Sequence, residues 1–237
     1  MLNLINMNVK RLFKTRALYA TTIILFGLFF FIALFAAKST FDDLSDELIG
    51  SGMIFMLVGI FATVYSDEER KSGFLKNLDA SKKSKINIFL SKIPVILLYN
   101  TILVLTAFAA LFLGKMGNGA TTASISAYVL FLLFRILAGT AYGTAFLAIY
   151  EIARGNVVPT ILTVFAAFNL HGVLINMVEK GVGMNNHILS NNLIVSKAMQ
   201  ISVAQPYNFI SVLLVVFAWI ILYSIIGMII FQKRDVF

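Results

Sequence analysis

The sequence contains no cysteine, so it can form neither a disulfide nor a thiolate metal site, and it has no thiol nucleophile. Charge is also scarce: 13% of the 237 residues are charged, whereas a soluble globular domain carries about 25%. Only 11 residues are acidic and 2 are histidine, while 59% are hydrophobic. This composition argues against an ordinary soluble domain and is typical of a membrane protein.

The motifs of several enzyme classes are missing as well. The sequence has no Gly-x4-Gly-Lys-Ser/Thr phosphate loop, no His-Glu-x-x-His pair and no Gly-x-Ser-x-Gly nucleophile elbow. The triplet at 68–70 shares two glutamates with the Glu-Glu-x3-Arg motif of intramembrane prenyl-type proteases, but its arginine spacing is different. We therefore expect no catalytic residue, no metal site and no cofactor bound by this chain itself.

Long apolar segments make up most of the chain. A bilayer core about 30 Å thick needs roughly 20 apolar residues per helix. Six segments meet or approach that length, at 17–37, 48–65, 93–114, 125–150, 157–178 and 209–231. The sequence therefore predicts an all-α polytopic membrane protein with six transmembrane helices, forming one transmembrane domain over 1–237.

The basic residues are distributed unevenly around these spans. Of the 19 lysines and arginines, 14 fall before the first span, between spans two and three, after span four or after span six. Lysine and arginine are retained on the cytoplasmic side of a membrane. We therefore predict cytoplasmic N- and C-termini, and the net charge of +8 does not require a nucleic-acid partner.

Residues 1–16 are predicted to form an amphipathic helix. Apolar residues recur at helical spacing on one face, and Lys10, Arg11 and Lys14 lie on the other. Such a helix beside a span is expected in the cytoplasmic headgroup layer of the lipid bilayer. A merely basic flank of the first span would explain the same residues.

The densest charge lies in the connection between spans two and three, at 66–92, which we call the coupling loop. It has 27 residues, whereas most helix connections take about 2–8. Acidic residues come first and lysines later, an order that complements a helix dipole, and Gly73 permits a bend. These features favour a folded protrusion that docks a partner over a plain solvated loop.

Two stretches of this loop, "DEERKSGFLKNL" and "SKKSKINIFLSK", resemble the cytoplasmic loop of type-2 ABC exporter permeases. The positions that fall where that pattern has them are Glu68, Glu69, Gly73, Lys76, Asn77 and Lys92. The ending "FQKRDVF" and the six-span topology are similar too. The resemblance implies a permease without its own ATPase, and a separate ATP-binding-cassette subunit that carries ATP and Mg.

The same resemblance implies a set of contacts and partners. The residues that would meet the ATPase are Glu68, Glu69, Arg70, Gly73, Phe74, Leu75, Lys76 and Asn77. Phe74 and Leu75 would be apolar anchors surrounded by charge. Six spans are half of the usual transport unit, so the family implies a second copy or a sister permease.

The external side and the setting follow from the resemblance as well. The loop at 179–208 would hold short helices that dip into the outer leaflet. Short external loops resemble those of bacterial permeases that export antimicrobial or cytolytic peptides or confer lantibiotic immunity. The chain would then lie in the plasma membrane of a bacterium.

Polar residues within the spans suggest a second site. Arg135, Asn169 and His171 lie at similar depths by residue count, so they could cluster. A charge at membrane depth indicates a substrate or gating contact, although neighbouring carbonyl groups could equally satisfy Arg135 structurally.

Other residues in or beside the spans are candidates for lining or packing. Met53, Phe55 and Met56 could line a path. Gly139 and Gly143 form a Gly-xxx-Gly pair that permits close helix approach, within the subunit or at a dimer seam. Glu151, after the fourth span, is interpreted as part of a solvated turn, with a smaller docking point as the alternative.

Two other functions are compatible with the spans. A self-powered carrier or channel would need internal repeats and ion ligands near the midplane, yet the spans contain no acidic residue. A non-transporting scaffold or immunity protein would use the coupling loop only to recruit a partner.

Overall fold

The computed structural model describes residues 1–36, 39–50, 52–73, 84–116, 123–153, 155–183, 188–203 and 209–233. Every regular element within these ranges is a helix. In chain order they are α1 (Leu2–Lys14), α2 (Arg16–Phe35), α3 (Phe41–Leu44), α4 (Gly52–Lys71), α5 (Lys85–Leu90), α6 (Ile93–Lys115), α7 (Ile125–Ala153), α8 (Val157–Ala167), α9 (Leu170–Gly181), α10 (Ile188–Asn191), α11 (Ile194–Met199) and α12 (Phe209–Lys233). A π-helical turn at Ser45–Ile49 follows α3.

The described residues contain five candidates for membrane spans. They are Arg16–Phe35, Phe41–Lys71, Lys85–Lys115, Ile125–Ala153 and Ile210–Lys233. A sixth candidate is α8 with α9, a pair that bends by 67°. The expected six spans therefore correspond to these five segments and one sharply bent pair of helices.

The break between α8 and α9 centres on Asn169, within the segment predicted as one span at 157–178. Asn169 has φ 57° and ψ 23°, the left-handed conformation that asparagine tolerates better than most residues. Its Oδ1 accepts a hydrogen bond from Ser196 Oγ at 3.1 Å, which ties the bend to α11. The chain therefore turns sharply instead of continuing as a straight helix.

Helix α7 forms the centre of the bundle and packs against α4, α6 and α12. Small residues on α7 let its neighbours approach closely. A Cβ atom added at Gly139 would lie 2.5 Å from the Asn100 amide nitrogen of α6, and one added at Gly143 would lie 2.5 Å from Ile96 Cγ2. Both glycines therefore pack within the subunit, against α6.

Helices α2 and α12 lie at the periphery, where α2 packs on α6 and α12 packs on α7 and α5. Each presents a face of exposed large apolar side chains, as expected for helices that meet lipid. In the predicted outer loop at 179–208, the described residues form the short helices α10 and α11.

Candidate functional site: a buried ionic cluster

Four parts of the chain meet at one end of the bundle, which we call the basic end. They are helix α1, the C-terminal turn of α4, the C-terminal turn of α7, and the junction between α5 and α6. Each contributes one charged side chain to a buried ionic cluster, which consists of Arg11, Glu69, Lys92 and Glu151. The cluster contains two acids and two bases, so its formal charges balance.

Glu69 lies at the centre of the cluster. Its Oε1 accepts a hydrogen bond from Arg11 Nη1 at 3.0 Å, and its Oε2 lies 3.0 Å from Lys92 Nζ. Lys92 Nζ lies 3.8 Å from Glu151 Oε1. The side chains of Glu69 and Lys92 are each 1% exposed. Charges this deeply buried are tolerated in proteins only when they are paired, so each member depends on the others.

The position of Glu69 follows from the buried stripe of α4. Ala62, Tyr65 and Ser66 are buried, and Glu69 follows them at helical spacing on the same face. Glu68 is turned away by one residue and is exposed, as is Lys71. The carboxylate of Glu69 therefore points into the bundle, because Glu69 lies on the buried face of α4 just after the last apolar residues of that face.

Lys92 is positioned by the short turn that joins α5 to α6. Ser91 and Lys92 separate the two helices, and Pro94 lies in the first turn of α6, where proline is well tolerated. Lys92 Nζ also donates a hydrogen bond to Ser66 Oγ at 3.4 Å. It lies 5.4 Å from the ring centroid of Phe231 on α12, within the range of a cation–π contact.

A layer of polar contacts holds α1 against the cluster. Asn8 Nδ2 donates a hydrogen bond to Ser91 Oγ at 2.9 Å, and Tyr65 Oη donates to the Asn8 carbonyl at 3.4 Å. The guanidinium carbon of Arg11 lies 5.0 Å from the centroid of the Tyr65 ring. Helix α1 is therefore fixed to α4 and to the start of α6 by both charge and hydrogen bonds.

The structure separates residues that the sequence grouped together. Glu68 is exposed, whereas the carboxylate of Glu69 points into the cluster and is not presented to a partner. Gly73 has φ 71°, which favours glycine where the chain leaves α4. Phe74, Leu75, Lys76 and Asn77 lie outside the described residues, so their docking role stays a prediction, as does that of Arg70.

Sequence reasoning missed the role of three residues in this cluster. The family pattern contains Lys92 without giving it a partner, and the sequence places Arg11 on the polar face of the N-terminal amphipathic helix. The interpretation of Glu151 as part of a solvated turn is wrong, because Glu151 is buried against Lys92. One signal was available for Glu69: its spacing from Tyr65 and Ser66 continues the buried face of α4.

Arg135 lies toward the opposite end of the bundle, which carries the π-helical turn and α10 and α11. Its Nη1 donates to the Gly50 carbonyl at 3.1 Å, and its Nη2 donates to the Ile201 carbonyl at 2.8 Å. The residue is 2% exposed. These bonds to backbone carbonyls favour the structural alternative for Arg135.

The other residues predicted to line a substrate path lie on two different helices, α4 and α9. Phe55 is buried and stacks on Tyr142 with ring centroids 5.5 Å apart. Met53 and Met56 are partly buried. His171 lines a cavity of about 140 Å³ that Trp219 also borders. A role in translocation stays a prediction for all of these residues.

A larger groove of about 540 Å³ lies between α9, α10 and α12. Apolar side chains that include Leu174, Val178 and Leu189 line it together with Trp219. The Trp219 indole donates its hydrogen bond to the Asn192 carbonyl at 2.8 Å. The groove is therefore suited to apolar molecules.

The helical bundle and its apolar spans define a polytopic membrane protein. A sequence model of the family described as ABC-2 family transporter protein matches residues 4–170, and the chain belongs to this family. It is therefore a membrane-embedded permease component of an ABC transporter, of a family that generally works with a separate ATP-binding subunit. The curated proteins contain no match to this chain. All four members of the ionic cluster fall within the matched residues.

Proposed function

We propose that this chain is the permease of an ABC exporter, which moves an amphipathic or hydrophobic substrate outward using ATP hydrolysis on a separate subunit. The observation that carries the proposal is the buried ionic cluster at the base of the coupling loop. It joins both ends of that loop to α1 and α7, the parts of the bundle that a push on the loop would have to move.

The Glu69–Lys92 pair closes the base of the loop. Glu69 is near the end of α4 and Lys92 directly precedes α6, and their charged atoms are 3.0 Å apart. Separating two buried charges is costly, so the base resists opening. A force applied to the loop would therefore move α4 and α6 together.

Lys92 also has a second acid within reach. Its Nζ is 3.0 Å from Glu69 on α4 and 3.8 Å from Glu151 on α7. Switching transitions commonly shift helices by about 1–2 Å, which is enough to exchange these two distances. The lysine would then exchange its closer partner as α4 and α7 move relative to one another.

The ATPase would dock at the basic end, which the distribution of lysine and arginine assigns to the cytoplasm. Phe74 and Leu75 are the proposed apolar anchors, and Glu68 and Arg70 belong to the charged rim. ATP and Mg would be bound by that subunit. A second permease subunit, identical or related, would complete the transport unit.

Two observations support a hydrophobic or amphipathic substrate. The groove of about 540 Å³ between α9, α10 and α12 has the volume of a ligand pocket and an apolar lining. The short external loops and compact size resemble those of bacterial permeases for antimicrobial or cytolytic peptides and lantibiotic immunity. We propose peptides of this kind as the substrate.

The test is co-purification of the chain with candidate ATPases, followed by transport of a labelled cytolytic peptide in proteoliposomes. The expected results are a stable complex and transport that requires ATP. Transport without ATP would indicate a self-powered carrier, and a complex that never transports would indicate a scaffold or immunity protein.

The docking assignment has its own test. Replacing Phe74 and Leu75 with aspartate should release the ATPase while the permease still elutes as a folded protein. Ser72→Asp, at an exposed position just before the anchors, is the control and should keep the ATPase bound. Unchanged ATPase binding by the Phe74 and Leu75 variant would contradict the assignment.

A further inference from the structure

Helix α1 has three faces rather than the two that its sequence indicates. Leu4, Asn8 and Leu12 recur every four residues and are buried against the bundle. Leu2 and Phe13 form an exposed apolar face. At 3.6 residues per turn, the third face lies beside the apolar one and is polar and basic.

This third face forms a shallow cavity of about 460 Å³. Its lining, among the described residues, is Asn3, Asn6, Met7, Lys10, Arg11 and Lys14. Lysine and arginine can only donate hydrogen bonds, and each asparagine amide adds two donors. In the described part of the chain, neither Lys10 nor Lys14 forms an ion pair. The cavity therefore offers the charges of two lysines and part of the Arg11 guanidinium, which also bonds to Glu69, and α1 contributes no acidic side chain.

We propose that this cavity binds the phosphate headgroup of an anionic phospholipid. The charges of the cavity complement a phosphate, and guanidinium and ammonium groups are the usual partners of phosphate oxygens. The neighbouring apolar face, with Leu2 and Phe13, can reach the acyl region while the long lysine side chains extend to the headgroup level. A lipid satisfies both faces, whereas a soluble anion would use only one.

Arg11 links this site to the ionic cluster. It lines the cavity and also donates to Glu69 at 3.0 Å, with 25% of its side chain exposed. A bound phosphate would therefore draw on the same guanidinium that holds Glu69. This link makes the charge of the membrane a regulator of the cluster; it rests on the proposed function, whereas lipid binding itself does not.

The test uses the full chain without an ATPase, in bilayers that contain spin-labelled phosphatidylglycerol or spin-labelled phosphatidylcholine. The wild type should restrict the anionic lipid selectively, and salt should weaken the selectivity. Replacing both Lys10 and Lys14 with glutamine should lower the selectivity by about tenfold. Both lysines are exposed and glutamine is a good helix former, so α1 should stay folded.

Lys85→Gln with Lys233→Gln removes two lysines outside α1 and serves as the charge-matched control, which should keep the selectivity. An equal loss in this control, or no loss in the α1 variant, would overturn the proposal. Displacement of the labelled lipid by inorganic phosphate at low millimolar concentration would assign the cavity to a soluble anion instead. If the Lys10 and Lys14 variant keeps the lipid selectivity but no longer elutes with the ATPase in a separate co-purification, the cavity contacts the partner protein and the lipid proposal is overturned.

Discussion

The two ends of the bundle handle buried charge in different ways. At the basic end, side chains pair with side chains: Glu69 holds Arg11 and Lys92, each at 3.0 Å. At the opposite end, the buried Arg135 donates to two backbone carbonyls instead. The half-buried Asp46 carboxylate accepts from the Val203 amide at 2.8 Å and from the Ser202 hydroxyl.

The difference has a mechanical meaning. A bond to the backbone fixes one chain segment in one place, so Arg135 and Asp46 fasten the chain near Gly50 to the segment at 201–203. A pair of long side chains can change partners when helices shift, and Lys92 already lies between two acids. We infer that the basic end is built to move and the opposite end to stay fixed.

The largest loss of stability is expected when the buried cation of the basic end, Lys92, is removed. Lys92→Gln leaves Glu69 and Glu151 buried together with only Arg11 to compensate, so the free energy of unfolding should fall by about 3–5 kcal/mol. Unfolding by denaturant in detergent measures the loss. Lys71→Gln is the control, because Lys71 is 73% exposed and its partner Asp67 keeps a hydrogen bond from Tyr150 Oη when Lys71 is replaced. It should cost only about 0.3–0.5 kcal/mol. Equal losses of unfolding free energy in the two variants would contradict the claim that burial makes the Lys92 pairs important for stability.

An intermediate loss of stability is expected at the opposite end of the bundle, where Arg135 lies. Arg135→Met leaves the carbonyls of Gly50 and Ile201 without their charged donor, which should cost about 2–3 kcal/mol of stability. Transport per folded molecule should be unchanged, as measured in proteoliposomes at low temperature. Normal stability with lost transport would place Arg135 in the translocation path. It would also contradict the inference that the end of the bundle at Arg135 serves only to stay fixed.

A smaller effect is expected between the two ends, at the seam of α7 and α6. Gly143→Ala places a Cβ atom 2.5 Å from Ile96 Cγ2, and overpacking of this kind should cost about 1–3 kcal/mol. Gly27→Ala on α2 is the matched control, since its Cβ would meet nothing within 4 Å. That substitution should be neutral or stabilising by up to about 1 kcal/mol. A neutral Gly143→Ala would show that α6 and α7 are loosely packed.

The sequence was most informative about features that are local. An apolar run of about 20 residues is visible without a fold. The helices α2, α6, α7 and α12 accordingly lie close to the segments predicted as spans. The break at Asn169 was not foreseen, since it depends on a left-handed residue and on a bond to Ser196, 27 positions away.

The site was less predictable because its partners are remote in sequence. Glu69 pairs with Arg11, 58 positions earlier, and only the packing of α1 on the bundle brings them together. Glu151 is hydrophilic and follows an apolar span, so nothing local distinguishes it from a solvated residue. The charge density of the coupling loop pointed to the right region, but not to which of its two adjacent glutamates faces inward.

We propose that the buried ionic cluster transmits the force of the ATPase to the bundle. The most direct measurement compares transport per ATP hydrolysed for Glu69→Gln and for Glu68→Gln in the reconstituted complex. The first variant removes the charge at the centre of the cluster, and the second removes an exposed charge one residue away. We predict that Glu69→Gln keeps the ATPase bound but loses most transport per ATP. Glu68→Gln, which changes one charge of the docking rim, should lower at most the amount of bound ATPase and keep the transport per ATP hydrolysed normal. Normal coupling in folded Glu69→Gln would contradict the claim.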